Sequence, residues 1–172
     1  AINGALTIGT NDGANLEMHR AIGDTYWPFS FGLMSHEIEL IQQKHSYNPI
    51  EFINDHPHIK RALESLTNRT FALTDEEHQI FNFLYYHLLE GSYDRADKYF
   101  VLKDLPSYMA CQKRVEDLYK QPLKWAEYAL KNISGMGKFS VDSAVKKYAN
   151  EIWHKNFALS SISIKLHTYI MI

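Results

Sequence analysis

The chain has 172 residues, of which 45% are apolar and 22% charged, with a net charge of −2. These values fit one globular domain able to bury a core. The near-neutral balance excludes a general electrostatic attraction to nucleic acid or anionic membrane. A single cysteine, Cys111, excludes an internal disulfide, and there is neither an apolar run long enough to span a bilayer nor a basic-then-apolar leader. The expectation is a soluble, cytoplasmic protein with no nucleic-acid or membrane partner.

Two short strands are predicted near the front, Ala5-Leu6-Thr7-Ile8-Gly9 and Trp27-Pro28-Phe29-Ser30-Phe31-Gly32. Between them Ala14 to Ile22 suits a helix stopped by Gly23. Strand, helix, strand is a βαβ unit, which places a ligand cleft at the carboxyl ends of the strands. In the connecting turn, Gly9 and Gly13 permit tight backbone paths, and Thr10, Asn11 and Asp12 are helix-capping candidates. An anion at that helix start would meet repulsion from Asp12.

After Gly32 the pattern is helical. Met34, Ile38 and Ile41 share a face, as do Ile59, Ala62, Leu63 and Leu66. Ile80, Phe81, Leu84 and Leu88 keep the period up to Gly91, behind an acidic first turn at Asp75-Glu76-Glu77. Tyr108, Cys111, Val115 and Leu118 follow, and Pro122 opens the next helix, which is predicted to bury Ala126, Ala129, Leu130 and Ile133. A last helix starts behind Ser140, with Val141, Ala144, Val145, Tyr148, Ile152 and Trp153 as its buried stripe. The tail from residue 154 to 172 alternates Ile162, Ile164 and Leu166 with polar residues, which predicts an extended or disordered arm.

Familiar chemical motifs are absent. Gly137-Lys138 lacks both the earlier glycine and the following hydroxyl of a phosphate loop. His36-Glu37 has Leu40 where a zinc-protease helix needs its second histidine, and His56-Pro57-His58 lacks a third ligand, so no metal site is expected. There is no G-x-S-x-G elbow, and Cys111 sits on an apolar stripe as a small buried residue. Two strands are also too few for a sheet with helices on both faces, so the chain reads as a piece of a larger α/β domain.

The stretch from Asn3 to Thr10 (NGALTIGT), with Asp12-Gly13-Ala14-Asn15 and Glu17-Met18, closely resembles a signature of the α-glucan phosphorylases, the glycogen, starch and maltodextrin enzymes. Tyr47-Asn48-Pro49, the run from Asp104 to Tyr119, Trp125, Asn132-Ile133, Gly137 to Ser140, Asp142, Tyr148-Ala149 and Glu151-Ile152-Trp153 resemble later family segments in the same order. The bulky entry Asp24 to Phe29 departs from the family pattern, and the tail beyond Phe157 has no counterpart in it.

The resemblance implies a two-domain GT-B enzyme, with residues 1–153 as the end of its second, Rossmann-like and cofactor-binding domain, mostly helical with a few short parallel strands. It implies phosphorolysis of a terminal α-1,4-glucosyl unit by inorganic phosphate, giving α-glucose 1-phosphate. The implied cofactor is pyridoxal phosphate on a lysine, its phosphate serving as proton donor and acceptor. In the family that lysine comes immediately before the Asn-Gly-Ala-Leu run, which puts it ahead of Ala1. No residue of this chain is therefore expected to be catalytic or to touch the cofactor directly, and the chain alone is expected to be inactive. Asn3, Gly4 and Thr7 are the candidates for supporting the cofactor segment from behind. The implied partners are glucan, phosphate and the remainder of the phosphorylase chain, and a homodimeric parent is compatible with them. Two rival readings stay open: a non-catalytic helical interaction module, and a GT-B glycosyltransferase that uses a nucleotide sugar.

Overall fold

The computed structural model describes residues 1–154. Its elements run β1 (Gly9–Thr10), α1 (Gly13–Ile22), β2 (Ser30–Phe31), α2 (Ser35–Lys44), α3 (Pro49–Asn54), α4 (Pro57–Thr67), α5 (Asp75–Leu89), α6 (Val101–Tyr119), α7 (Pro122–Gly135) and α8 (Val141–Glu151). Apart from His154, the tail expected at residues 154–172 lies outside the described residues.

The two strands are parallel, with Gly9 opposite Ser30 and Thr10 opposite Phe31, and α1 forms the crossover between them. Both are shorter than predicted. The ladder is joined at Gly9, whose N–H donates to the Phe29 carbonyl at 3.3 Å, while Ala5 to Ile8 lies ahead of it. On the other strand the Pro28 carbonyl turns away from β1 and accepts from Arg114.

α1 stops as expected at Gly23, where φ is +81° and the N–H donates to the His19 carbonyl. Its start differs from expectation. Asp12 holds the N-cap position without a capping bond and instead accepts from the Thr10 hydroxyl at 3.1 Å. The Asn15 side chain donates back to the Thr10 carbonyl at 3.0 Å and tightens the turn. A side chain on Gly9 would stand 2.5 Å from the Asn15 amide nitrogen, so the turn closes only around a bare Cα.

Three of the later helices, α3, α5 and α8, begin with a side-chain cap. Asn48 accepts from the Ile50 N–H at 2.9 Å ahead of α3. Thr74 and Glu77 exchange bonds as a capping box on α5, and Ser140 accepts from the Ser143 N–H at 3.2 Å on α8. Pro122 occupies the first turn of α7. One apolar cluster joins Ile53, Ile59, Leu63, Leu89 and Leu102 across α3 to α6. A second joins Phe29, Cys111 and Leu118, and so docks α6 beneath β2.

Several predicted stripes are not buried. Ala62, Ile80 and Leu84 are exposed, as are Ala126, Leu130 and Ile133 on α7. On α8, Val141, Ala144, Val145, Tyr148, Ile152 and Trp153 all face outward, Val141 at 74% exposure. The reason is partnership rather than propensity. α8 packs chiefly on the short turn Gly137–Phe139 that precedes it, and α7 buries Asn132 beside Met136 instead of its aliphatic row. An apolar face is buried only where a second element lies over it.

Candidate functional site

The βαβ unit sets a cleft of about 390 Å³ beyond the carboxyl ends of β1 and β2. Thr10 and Asp12 form one wall, Leu33 and Ser35 another, and Arg95, Lys98 and Asp104 reach in from the segment that leads into and through α6.

The exit of β2 is shaped by one stripe of α6. Asp104 Oδ1 accepts from the Leu33 N–H at 2.9 Å, and Ser107 Oγ accepts from the Gly32 N–H at 2.9 Å. One turn beyond the fully buried Cys111, the Arg114 guanidinium donates to the carbonyls of Pro28 at 3.2 Å and Ser30 at 2.8 Å. Positions 104, 107, 111 and 114 repeat at helical spacing, so they share the face turned to β2. Gly32 meets that face with φ at +81°, and a Cβ there would lie 2.6 Å from Asp104 Oδ2.

Burial raises the Asp104 carboxyl above the ordinary carboxylate range, against the lowering effect of the Leu33 N–H, and the nearby Asp97 and Glu37 charges push it the same way as burial. The Lys98 ammonium is held by the Asp94 carboxylate, and that contact raises its pKa. Arg95 donates to the Lys98 carbonyl at 3.2 Å and lies over the Phe100 ring.

The residues expected to support a cofactor segment lie elsewhere. Asn3, Gly4 and Thr7 precede β1 and are not among those lining the cleft. Gly4 is buried with φ at +85°, its N–H donating to the Ala1 carbonyl at 2.8 Å. A Cβ there would come within 3.3 Å of Ile133 and 3.5 Å of Ala129, so Gly4 seats this segment on α7. Asn3 is exposed and Thr7 half-buried.

The cleft does not fit pyridoxal phosphate. Its aldehyde needs an uncharged amine, whereas Lys98 is stabilised as the ammonium by Asp94. Its phosphate would meet Asp12 and Asp104 beside Arg95 and Lys98, and Lys98 is already paired with Asp94. Cys111 is inert as well, fully buried with its thiol raised by desolvation. Among the described residues no group of three or more His, Cys, Asp or Glu is placed to hold a metal, and no helix is long and apolar enough to cross a membrane.

Sequence reasoning missed the side-chain roles of Ser107, Arg114, Arg95 and Lys98. The i, i+3, i+7, i+10 stripe of Asp104, Ser107, Cys111 and Arg114 was the available signal, but its target strand lies more than seventy residues earlier.

The chain is mostly helical around one parallel βαβ unit, with a cleft at the strand ends where open α/β domains place theirs. The chain belongs to the carbohydrate phosphorylase family, whose model matches residues 1–155. It is 40% identical over 154 residues to glycogen phosphorylase of Chlamydia pneumoniae, covering 90% of this chain and 18% of that protein. It is 37% identical over 154 residues to the Chlamydia trachomatis protein of the same name, again covering 90% of this chain and 18% of that protein. It is 36% identical over 154 residues to the brain form of rat glycogen phosphorylase, covering 88% of this chain and 17% of that protein. The chain thus spans about 18% of the length of the curated relatives it matches.

Proposed function

We propose that these residues are the late part of the second, Rossmann-like domain of a two-domain GT-B α-glucan phosphorylase. The parent would transfer a terminal α-1,4-glucosyl unit to inorganic phosphate and release α-glucose 1-phosphate in the cytoplasm. The observation that carries this reading is the family match over residues 1–155, together with 40% identity to a glycogen phosphorylase over 154 residues.

The contribution of this chain is a scaffold. Gly4 fits against Ala129 and Ile133, which seats the turn at Ala1 to Gly4 on α7. A cofactor lysine immediately ahead of that turn would inherit its position from this seat. Asn3 and Thr7 act on the same segment, by holding its backbone and not by touching the reacting groups. In the parent, pyridoxal phosphate held outside these residues would supply acid–base chemistry. None of the described residues is assigned to hold it, and no step of the reaction is assigned to them. Glucan and phosphate are the parent's substrates, and the rest of the phosphorylase polypeptide is the partner of this chain.

The helical-module reading accounts for the exposed helix faces but not for the ordered match to an enzyme family. The coding sequence ahead of Ala1 decides between them. A glycine-rich turn ending in Lys-Phe supports the phosphorylase, and an initiator Met or an unrelated domain overturns it. The purified 172-residue chain is expected to form no glucose 1-phosphate from glycogen and phosphate; measurable formation would contradict the scaffold role.

A further inference from the structure

A second cavity, of about 360 Å³, lies between the end of α2 and the segment that launches α6. Gln42, Arg95 and Phe100 line both it and the strand-end cleft, so the two adjoin. Pro49, Asp97 and Phe100 are buried and form its base, with the half-buried Tyr47 beside them, whereas Arg95 is exposed. The volume stands at the small end of ligand cavities, which run from roughly 300 to 1,000 Å³.

Asp97 is the unusual member. It is 4% exposed, and among the described residues it makes no ion pair. Its Oδ2 accepts from the Tyr47 hydroxyl and the Leu102 N–H, while Oδ1 is buried with no donor. An asparagine carbonyl could accept both of those bonds without burying a charge. The second oxygen therefore needs a role of its own, and the cavity that Asp97 lines is where a donor can reach it. A cationic donor would be repelled by Arg95, which lines the same cavity, and an anion would be repelled by Asp97. Hydroxyl groups avoid both conflicts, because each can donate to a carboxylate and accept from a guanidinium. Arg95 spends one N–H on the Lys98 carbonyl, which leaves others of its five for a ligand. Tyr47, Pro49 and Phe100 add an apolar wall against which the C–H face of a ring can lie.

We infer that this cavity is a sugar subsite that takes one neutral pyranose ring, with hydroxyls that donate to Asp97 Oδ1 and accept from Arg95. Arg95, being exposed, is the wall that moves to bring a hydroxyl to Oδ1. The subsite holds a ring and carries out no step on it. Its preference for a neutral polyhydroxyl ring is read from the cavity alone; that the ring is a glucosyl unit of an α-glucan rests on the phosphorylase reading.

NMR titration of the isotope-labelled 172-residue chain tests this with glucose, maltotetraose and ethanolamine. Both sugars are expected to give saturable shifts centred on the Arg95 side chain and the Asp97 and Leu102 amides, and ethanolamine none. Tighter binding of maltotetraose marks the end of a glucan as the occupant, and equal binding marks a single glucose ring; either supports the subsite. Asp97→Asn is expected to weaken sugar binding by about 10-fold or more, the worth of a hydrogen bond to a charged group. Ala96→Leu intrudes on the cavity without removing a bond of Asp97, and is expected to abolish the shifts. It decides the matter if Asp97→Asn does not fold. Shifts with ethanolamine alone, no saturable shift with either sugar, or sugar binding unchanged in a folded Asp97→Asn or Ala96→Leu variant would each overturn the inference. Sugar binding beside a coding sequence with no lysine ahead of Ala1 keeps the subsite and removes the enzyme reading. A lysine there with no sugar binding does the reverse.

Discussion

The Tyr47 hydroxyl donates to Asp97 Oδ2 at 2.7 Å, tying the loop behind α2 to the segment that launches α6. The same oxygen accepts from the Leu102 N–H at 3.0 Å and thereby satisfies a donor in the first turn of α6. Asp97 is 4% exposed and sits at φ +39°, a left-handed conformation that aspartate tolerates better than most residues. Its other carboxylate oxygen is buried without a protein partner, so the carboxylate depends on the two bonds it makes.

Tyr47→Phe is therefore expected to destabilise the chain by about 1–3 kcal/mol, because it leaves a buried acceptor short of a donor. Urea unfolding at neutral pH would measure it. A loss within error would mean that Asp97 is solvated rather than dependent on Tyr47.

The same phenol makes a pH prediction. Burial first, then the hydrogen bond and charge of Asp97, raise the Tyr47 pKa well above the ordinary phenol value near 10. A raised acid binds its proton more tightly in the folded state. Its contribution is thus present below pH 10 and is lost as pH climbs beyond it, where the unfolded chain ionises first. Stability is expected to fall from pH 10 to 11 more steeply in the wild type than in Tyr47→Phe, as read from paired melts at each pH.

Gly32→Ala combines two penalties. The residue occupies φ +81°, and the added methyl would lie 2.6 Å from Asp104 Oδ2 and 3.2 Å from Thr10 Cγ2. A loss of about 1–3 kcal/mol is expected. Release of Asp104 should also speed exchange of the Leu33 amide, which the carboxylate now binds.

Gly135→Ala tests the contact between α1 and α7, where a new Cβ would fall 2.2 Å from Ile22 Cγ2. Overpacking of this kind costs about 1–3 kcal/mol. Ile22→Ala in the same chain should recover part of that loss, so the double variant is expected to be more stable than the sum of the singles predicts. Strict additivity would show that the helices shift apart without strain.

Arg114→Lys is expected to behave like Arg114→Ala, each losing on the order of 1 kcal/mol. One ammonium cannot reproduce the planar fork that reaches both the Pro28 and Ser30 carbonyls. Chemical denaturation of the three proteins side by side would show whether lysine rescues the contact.

Short-range chemistry was legible in the chain. The acidic first turn at Asp75-Glu76-Glu77, Pro122 at a helix start, Ser140 as a cap and Gly23 as a stop all follow from groups a few residues apart. The βαβ order was legible too, because the apolar runs and the helix between them are consecutive. The stripes on α7 and α8 read equally well as periodicity, yet Leu130, Val145 and Tyr148 lie in solvent. Period reports that a face is apolar and says nothing of whether a partner covers it.

The site divides the same way. Asn3, Gly4 and Thr7 were selected for their place in the chain, and of these the structure gives Gly4 a packing seat against Ala129 and Ile133. Asp104, Ser107 and Arg114 carried a helical stripe whose purpose no local rule could supply. Their bonds to Pro28, Ser30, Gly32 and Leu33 join residues more than seventy positions apart. By itself the sequence determined where helices start and stop and to which family the chain is similar, since both rest on neighbouring residues and their order. Only the tertiary structure decided which side chains of α6 meet β2 and which apolar faces are buried. Those outcomes depend on distant groups brought within hydrogen-bond or van der Waals reach, and that proximity exists only after folding.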